Sequence, residues 1–348
     1  MAPCWFKEEP LMRWHVSALV LPLFVAFAPS AAHAWNLPKN ETEAKVLYER
    51  LGKDFSENGT TKNSELNRAR DGKRSSYLDA NDPFLEQAAP IPEDVLATLP
   101  DAKWVSFKLF NQAIRGLRQI LANFPTAGIR SDVLTIVDFG KKTEARRFLV
   151  LDLVAERVLF QTWVHHGRRS DLDSNRYAER FSNVINSNTS SVGFLLASDR
   201  PYDGMWGYSL RTHGIDGALN SNVHERAMVI HPWPTIHPRE LARLNGVDQV
   251  SLGCLSLPYY ESGKFYGKDD QPLSKLIIDT VKKRSVIFVS SPEVDLEKRS
   301  LYLRSTGLLP ESEREAIVAR VNYDSEHQPL VEREVATLPE KYRYWGER

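Results

Sequence analysis

The pattern of apolar and polar positions divides the chain into four stretches, and the first resembles an export signal. It contains an apolar run from Val16 to Ala28 that is closed by Pro29 and followed by the small-residue pattern Ala32-His33-Ala34. The run is shorter than the ~20 residues that a membrane-spanning helix needs. We therefore predict a signal peptide over residues 1–34 and no membrane span in the chain that remains after cleavage.

The second stretch, residues 35–125, predicts a helical segment interrupted by a polar linker. Apolar residues recur at helical spacing near 36–56 and again near 101–121. The second of these helices has one apolar face, formed by Trp104, Phe107, Phe110, Ile114, Leu117 and Leu121. Between the two, Ser56–Pro83 is polar and charged, which is typical of a linker. We expect the apolar face to pack on the domain that follows.

The third stretch, residues 126–293, predicts a mainly β catalytic domain. Runs rich in β-branched and aromatic residues, separated by short turns, occur at 133–139, 147–153, 157–164, 192–197, 205–212, 227–230 and 286–290. Because strands and helices do not alternate regularly, the pattern favours a β-sandwich or barrel with one covering helix near 271–283. Residues 294–348 predict a charged C-terminal extension with a short helix near 311–321.

Composition narrows the class of protein only a little. Lys and Arg number 45, Asp and Glu also number 45, and the formal net charge is zero at pH 7. Neither the charge nor any basic block indicates a nucleic-acid partner or an anionic membrane surface. The balance of residues is that of an exported globular protein.

The two cysteines bring in candidate chemistry. Cys4 precedes the predicted cleavage site, so Cys254 would be the single thiol of an exported protein, and an unpaired thiol in an oxidising compartment indicates reactivity. A nucleophilic thiol needs a nearby imidazole and backbone donors for the oxyanion. Gly253 permits the unusual dihedrals that such donors require. His231 ends the strand-like run from Ala227 and is a base candidate, alongside His213, His224 and His237, whereas we assign His165 and His166 to structural roles.

Several segments resemble the murein L,D-transpeptidase catalytic domain, the larger branch of the family often called YkuD-like. They follow the family's order and cover less than half of the chain: Val133–Phe139, Phe181–Asn183, Ser190–Phe194, Tyr208–Arg211, His213–Gly217, Asn220–Asn222, Arg226–His231 and Ser251–Cys254. The resemblance implies a mainly β domain whose cysteine attacks the L,D-amide of a peptidoglycan tetrapeptide stem. It implies a thioester that an acceptor amine resolves, no metal or cofactor, and a location in the periplasm or at the cell wall.

Matched position by position, the resemblance also implies roles for single residues. Cys254 is the expected nucleophile and His231 the expected base, with the N–H groups of Gly253 and Cys254 as oxyanion donors and Ser251 shaping the nucleophile loop. The implied substrate-side candidates are His213, Gly214, Arg226, Asn222 and Tyr208.

Departures from the family's usual residues leave alternatives open. Leu252 stands where the commoner form has histidine, Leu255 replaces a proline after the cysteine, and Pro232 replaces a small residue after the base. A hydrolase of the same fold would let water resolve the thioester, as an L,D-carboxypeptidase or a cross-link or lipoprotein-releasing peptidase. A zinc murein hydrolase fits less well, because Met228 stands where an HExxH motif starting at His224 needs its second histidine. The last alternative is an inactive wall-binding module.

Overall fold

The computed structural model describes residues 37–58, 105–143, 145–233, 236, 250–258 and 273–327. The predicted signal peptide, most of the predicted polar linker, His237 and the end of the C-terminal extension lie outside the described residues. The domain boundaries drawn from the sequence stay predictions.

Four of the five described α-helices lie where the sequence predicted them, with shifted ends, whereas the short helix over Leu296–Arg299 was not predicted. They are α1 (Glu41–Asn58), α2 (Phe107–Asn123), α3 (Leu273–Val281), α4 (Leu296–Arg299) and α5 (Glu311–His327). Helix α2 begins later than predicted because the Ser106 hydroxyl accepts the N–H of Leu109 and caps the helix. None of the described helices is long and apolar enough to cross a membrane.

The described strands confirm the mainly β prediction. They are β1 (Val133–Asp138), β2 (Phe148–Asp152), β3 (Arg157–Thr162), β4 (His166–Gly167), β5 (Gly193–Ala197), β6 (Tyr202–Gly204), β7 (Gly207–Gly214), β8 (Val229–Trp233), β9 (Val250–Ser251), β10 (Leu255–Pro258) and β11 (Val286–Ser290). The strand predicted over 205–212 is in fact the second arm of a hairpin, since β6 turns back onto β7 through Met205 and Trp206.

The strands form one large curved sheet and one small one. The order in the large sheet is β10-β8-β7-β5-β11-β1-β2-β3, with β6 paired to β7, and the sheet curls into a nearly closed, barrel-like surface. The pairs β1–β11 and β8–β10 are parallel. The small sheet is the parallel pair β4–β9, which joins His166 and Gly167 to Val250 and Ser251.

Helices α2 and α3 pack against the sheet, and α1 packs on β3. Helix α2 presents the apolar face predicted from its spacing, with Phe110, Ile114 and Leu117 buried against the sheet. Gly116 lies on this face because a Cβ there would come within 1.9 Å of the Phe194 ring on β5. Helix α3 packs against β1, β7, β8 and β10, and therefore supports the strands that carry the candidate site.

Candidate active site

Cys254 lies in a tight turn between β9 and β10, and the side chain of Ser251 holds this turn together. The Ser251 hydroxyl accepts the N–H of Gly253 at 3.0 Å and lies 2.8 Å from the carbonyl oxygen of Cys254 and 3.2 Å from that of His166. One hydroxyl thus connects both sides of the nucleophile turn and the neighbouring strand β4. Ser251 therefore has contacts of the kind that its predicted loop-shaping role requires, and the role itself stays a prediction.

Gly253 has no substitute in this turn. Its φ of +122° is a backbone conformation that side-chain-bearing residues rarely adopt. A Cβ there would also lie 2.6 Å from the carbonyl oxygen of Thr189 and 3.3 Å from a guanidinium nitrogen of Arg226. The turn that presents Cys254 therefore depends on glycine for its dihedral angle and for its close packing.

Cross-strand register brings the candidate nucleophile and base to one face of the sheet. Arg211 on β7 pairs with Val229 on β8, and His231 on β8 pairs with Ser256 on β10. Directly paired residues point to the same face, as do residues two apart on one strand. Cys254 is two residues before Ser256 and therefore lies on the same face as His231 and Arg211. It sits beside Val229, the residue two before His231 on β8.

The sulfur of Cys254 lies against the backbone at the start of β8. It is 3.7 Å from the carbonyl oxygen of Ala227, and the N–H groups of Val229 and of Cys254 itself are directed towards it. Burial of the sulfur raises the pKa of the Cys254 thiol, while these N–H groups and the Arg226 charge act to lower it. The thiol is therefore protonated in the resting protein.

The predicted oxyanion donors are only partly available. The N–H of Gly253 already donates to Ser251, so it cannot also serve an oxyanion in this conformation. The N–H of Cys254 remains directed towards the sulfur, and Val229 adds a donor that the sequence did not indicate. The backbone at the start of β8 thus places a second N–H group beside the candidate nucleophile.

His231 is buried and held as a neutral base. Its Nδ1 lies 2.8 Å from the carbonyl oxygen of Pro232, which can only accept, so Nδ1 carries the proton and Nε2 is the acceptor. The Ser256 hydroxyl lies 2.9 Å from Nε2 and donates to it. Burial lowers the pKa of His231 to about 4, although the bond to Pro232 opposes that shift. In the described part of the chain no hydrogen bond joins His231 directly to Cys254.

Two tryptophans flank the His231 ring. Trp206, in the β6–β7 hairpin, stacks on it with ring centroids 6.0 Å apart and an interplanar angle of 25°. Trp233 meets the ring edge-on at 6.1 Å and contacts Trp206 at 4.6 Å. These apolar rings remove water from around the imidazole, which is the physical source of its lowered pKa.

His165 and His166, assigned to structural roles from the sequence, lie directly behind the nucleophile loop. The N–H of His165 donates to the carbonyl of Ser256 at 3.1 Å, and His166 pairs with Val250 on β9. The buried guanidinium of Arg147 donates to Nδ1 of His166 at 2.8 Å and to the carbonyl of Val164. These contacts fix strand β4 against the loop, so both histidines support the candidate site without entering it.

Arg226, a predicted substrate-side residue, is close to Cys254 but fully engaged. Its guanidinium donates to the carbonyls of Ser182 and Thr189 and to the hydroxyls of Ser187 and Ser191. Burial lowers the pKa of Arg226, and the negative charge of Cys254 in its thiolate form opposes that shift. Arg226 therefore holds the 182–191 loop beside the nucleophile and places a positive charge near its sulfur.

Asn222 reinforces the same loop. Its backbone N–H donates to the Asn183 side chain at 2.9 Å, and its own amide donates to the Asn183 carbonyl at 3.0 Å. These reciprocal bonds give Asn222 a positioning role next to the candidate site.

The other substrate-side candidates have contacts that remove them from the site. Tyr208 lies on the opposite face of β7, where its hydroxyl donates to Asp279 of α3 at 2.7 Å. His213 is fully buried, 2.8 Å from the Ser198 hydroxyl, and stacks on His224. A Cβ on Gly214 would lie 1.7 Å from the carbonyl oxygen of Asn220, so this glycine permits close packing. We do not retain these three residues in the proposed site.

The described residues hold no group of three or more His, Cys, Asp or Glu side chains that could bind a metal ion. The site has instead one thiol, one neutral imidazole and backbone donors. Tyr202, Arg211 and Ser256 lie on the same face of the sheet as His231, and none of them was singled out from the sequence. The signal available was the period-two alternation along β7 and β10, which puts Arg211 and Ser256 on the face of the base.

Comparison with known proteins identifies the class. Residues 101–290, more than half of the chain, match the family of the L,D-transpeptidase catalytic domain, and the chain belongs to this family. Among curated proteins no significant match is found.

Two solved structures of L,D-transpeptidases are similar to parts of the chain. One, from Mycobacterium tuberculosis H37Rv, is 14% identical with a TM-score of 0.22, and the match covers 46% of this chain and 58% of that one. The other, residues 123–326 of the protein from Xylanimonas cellulosilytica DSM 15894, is 11% identical with a TM-score of 0.23. This match covers 51% of this chain and 79% of that one. The chain thus spans little more than half the length of the first of these structures.

Proposed function

We propose that this protein is an exported, cysteine-dependent peptidoglycan L,D-transpeptidase that acts on tetrapeptide stems. Membership of the L,D-transpeptidase catalytic domain family supports the class of reaction. The observation that supports the mechanism most is the pairing register of β8 and β10, which brings Cys254 and the acceptor Nε2 of His231 to one face. The proposed export to the periplasm or cell wall depends on the sequence of residues 1–34.

The first half of the proposed reaction makes a thioester. As the Ser256 hydroxyl turns away, Nε2 of His231 takes the thiol proton while the sulfur of Cys254 attacks the carbonyl between the third and fourth residues of the stem. The N–H groups of Cys254 and Val229 stabilise the oxyanion. The carbon–nitrogen bond then breaks, His231 returns the proton to the departing amine, and the terminal D-residue leaves.

The second half transfers the acyl group to an acceptor amine. The amine attacks the thioester carbonyl, a new amide bond forms and the carbon–sulfur bond breaks. The proton lost by the amine passes through His231 to the sulfur, which restores the thiol. If water attacks instead, the same steps give a trimmed tripeptide, so the hydrolase alternative differs only in the group that resolves the thioester.

The proposal is tested by incubating the wild-type protein and Cys254→Ala with purified tetrapeptide muropeptides. Intact-protein mass spectrometry should detect an acyl adduct on the wild type alone, and product analysis should detect a cross-linked dimer. A tripeptide without dimer would favour the hydrolase. Identical products from both proteins, or inhibition by a chelator rather than by a thiol-alkylating reagent, would overturn the cysteine mechanism.

A further inference from the structure

Arg211 is a second cation beside the candidate site, and within the part of the chain that the structure describes it differs from Arg226 in having no hydrogen-bonded or ion-paired side-chain partner. It is half-buried on β7, and its guanidinium carbon lies 5.0 Å from the centre of the Tyr202 ring. Among the described residues, neither a carboxylate nor a hydrogen-bond acceptor pairs with this guanidinium. A half-buried guanidinium normally finds such a partner, because burial without one is costly.

Tyr202 connects this cation to the nucleophile. Tyr202 pairs with Ser209 in the β6–β7 hairpin. Ser209 lies two residues before Arg211 on β7, so all three side chains point to the same face. Burial is the main cause that raises the pKa of the Tyr202 hydroxyl, the charge of Arg211 opposes that shift, and a Cys254 thiolate adds to it. The hydroxyl therefore stays protonated and can donate a hydrogen bond.

The spacing of the strands fits one group of the proposed substrate. Neighbouring strands are about 4.8 Å apart, so the backbones of Arg211 and Cys254, separated by β8, lie about 10 Å apart. In a tetrapeptide donor the terminal carboxylate carbon is three bonds from the attacked carbonyl carbon, a span of about 4 Å at most. The long side chain of Arg211 can bridge the remaining distance.

Arg226 cannot take this role. Its guanidinium donates to the oxygen atoms of Ser182, Ser187, Thr189 and Ser191, all of which hold the 182–191 loop. No described residue accepts a hydrogen bond from the Arg211 guanidinium, whose planar fork of donors matches a carboxylate in bidentate geometry.

We propose that Arg211, laid over the Tyr202 ring, binds the terminal carboxylate of the leaving D-residue. This inference rests on the proposed function and assigns the specificity of the same site. This contact would select stems in which the residue after the attacked amide is the last one and carries a free carboxylate. The bound carboxylate would position the amide carbonyl over the sulfur of Cys254.

Equilibrium binding tests this inference without requiring turnover. The Cys254→Ala protein is titrated with a tetrapeptide that ends in a free carboxylate and with the same peptide ending in a carboxamide. We expect the acid to bind at least about tenfold tighter, as hydrogen bonds to a charged group imply. Adding Arg211→Gln should remove this preference. Arg299→Gln, a change at an exposed arginine of α4, is the matched control and should keep it.

Each outcome decides the inference. Equal affinity for acid and amide in Cys254→Ala, or a preference that survives Arg211→Gln, would overturn it, since the other carboxylates of the peptide are unchanged by terminal amidation. If circular dichroism finds Arg211→Gln unfolded, Arg211→Lys keeps the charge and should retain part of the preference. A preserved acid preference without acylation of wild-type Cys254 would refute the proposed function alone.

Discussion

Mild acid should destabilise this protein strongly, because three neutral histidines are buried around the nucleophile loop. His165, His166 and His231 are 1%, 1% and 3% exposed. Burial lowers the pKa of His166 to about 2 and that of His231 to about 4, and it holds the pKa of His165 well below its usual value of 6.5. The charge of Arg147 acts in the same direction on His165 and His166.

The sign of the effect follows from proton uptake. In the unfolded chain each histidine takes a proton as the pH falls through about 6.5, whereas the folded protein does not, so protonation favours unfolding. Below pH 6.5 each histidine then lowers the free energy of unfolding by about 1.4 kcal/mol per pH unit. From pH 6.5 to pH 5 the loss is about 2 kcal/mol for each histidine and about 6 kcal/mol for the three together. Asp216 has the opposite effect, because burial raises its pKa to about 6. Below pH 6 the folded protein binds a proton there that the unfolded chain does not, which adds about 1 kcal/mol to the free energy of unfolding at pH 5. The net loss of about 5 kcal/mol is comparable to the whole stability of many domains.

Urea unfolding followed by tryptophan fluorescence at pH 8, 7, 6 and 5 measures this loss. We expect a nearly constant midpoint from pH 8 to 7 and a steep fall from pH 6.5 to 5. His165→Leu should reduce the slope by about 1.4 kcal/mol per pH unit, because it removes one buried titrating ring. Both ring nitrogens of His165 are buried without a hydrogen-bond partner among the described residues, so this change breaks no such bond. A midpoint that stays constant down to pH 5 would refute the reasoning.

Three further substitutions test separate parts of the site. Arg226→Gln should raise the pKa of the Cys254 thiol and slow its alkylation by iodoacetamide at fixed pH, with a smaller effect for Arg226→Lys; an unchanged pH profile would contradict the proposed charge effect. Gly253→Ala should abolish acylation and lower the free energy of unfolding by about 1–3 kcal/mol, because of its positive φ, and an active, equally stable variant would be inconsistent with the turn described. Tyr208→Phe should cost about 1–3 kcal/mol in urea unfolding through the lost bond to Asp279 while leaving the acylation rate unchanged, and a slower rate would return Tyr208 to the substrate site.

The longer elements could be predicted because their patterns are local. The run of β-branched and apolar residues in β1 and the helical spacing in α2 are visible in the sequence alone, and both elements lie where expected. The two-residue strands β4 and β9 could not be found this way, since so short a segment has no periodicity. They form because Gly167 and Ser251, which are far apart in sequence, pair in the folded protein.

The sequence could predict only those parts of the candidate site whose chemistry follows from the type of residue. Cys254 and His231 could be proposed from their reactivity and context, but the faces of the strands depend on register. Tyr208 and Arg211 are three residues apart on β7 and therefore point to opposite faces, so a motif that contains both cannot tell which one faces the substrate. The structure resolves this, since Tyr208 contacts α3 and Arg211 lies over Tyr202.

The proline that follows the base illustrates why some departures from the family pattern leave the mechanism intact. Pro232 contributes its backbone carbonyl, which accepts the Nδ1 proton of His231 and so leaves Nε2 as the acceptor. Every residue has this carbonyl, and proline lacks only the N–H, so the histidine tautomer does not depend on the side chain at this position. The lone pair of Nε2 now receives the Ser256 hydroxyl. In the proposed mechanism this hydroxyl rotates away, and the thiol of Cys254 replaces it as the donor to Nε2 while the tautomer of His231 stays the same.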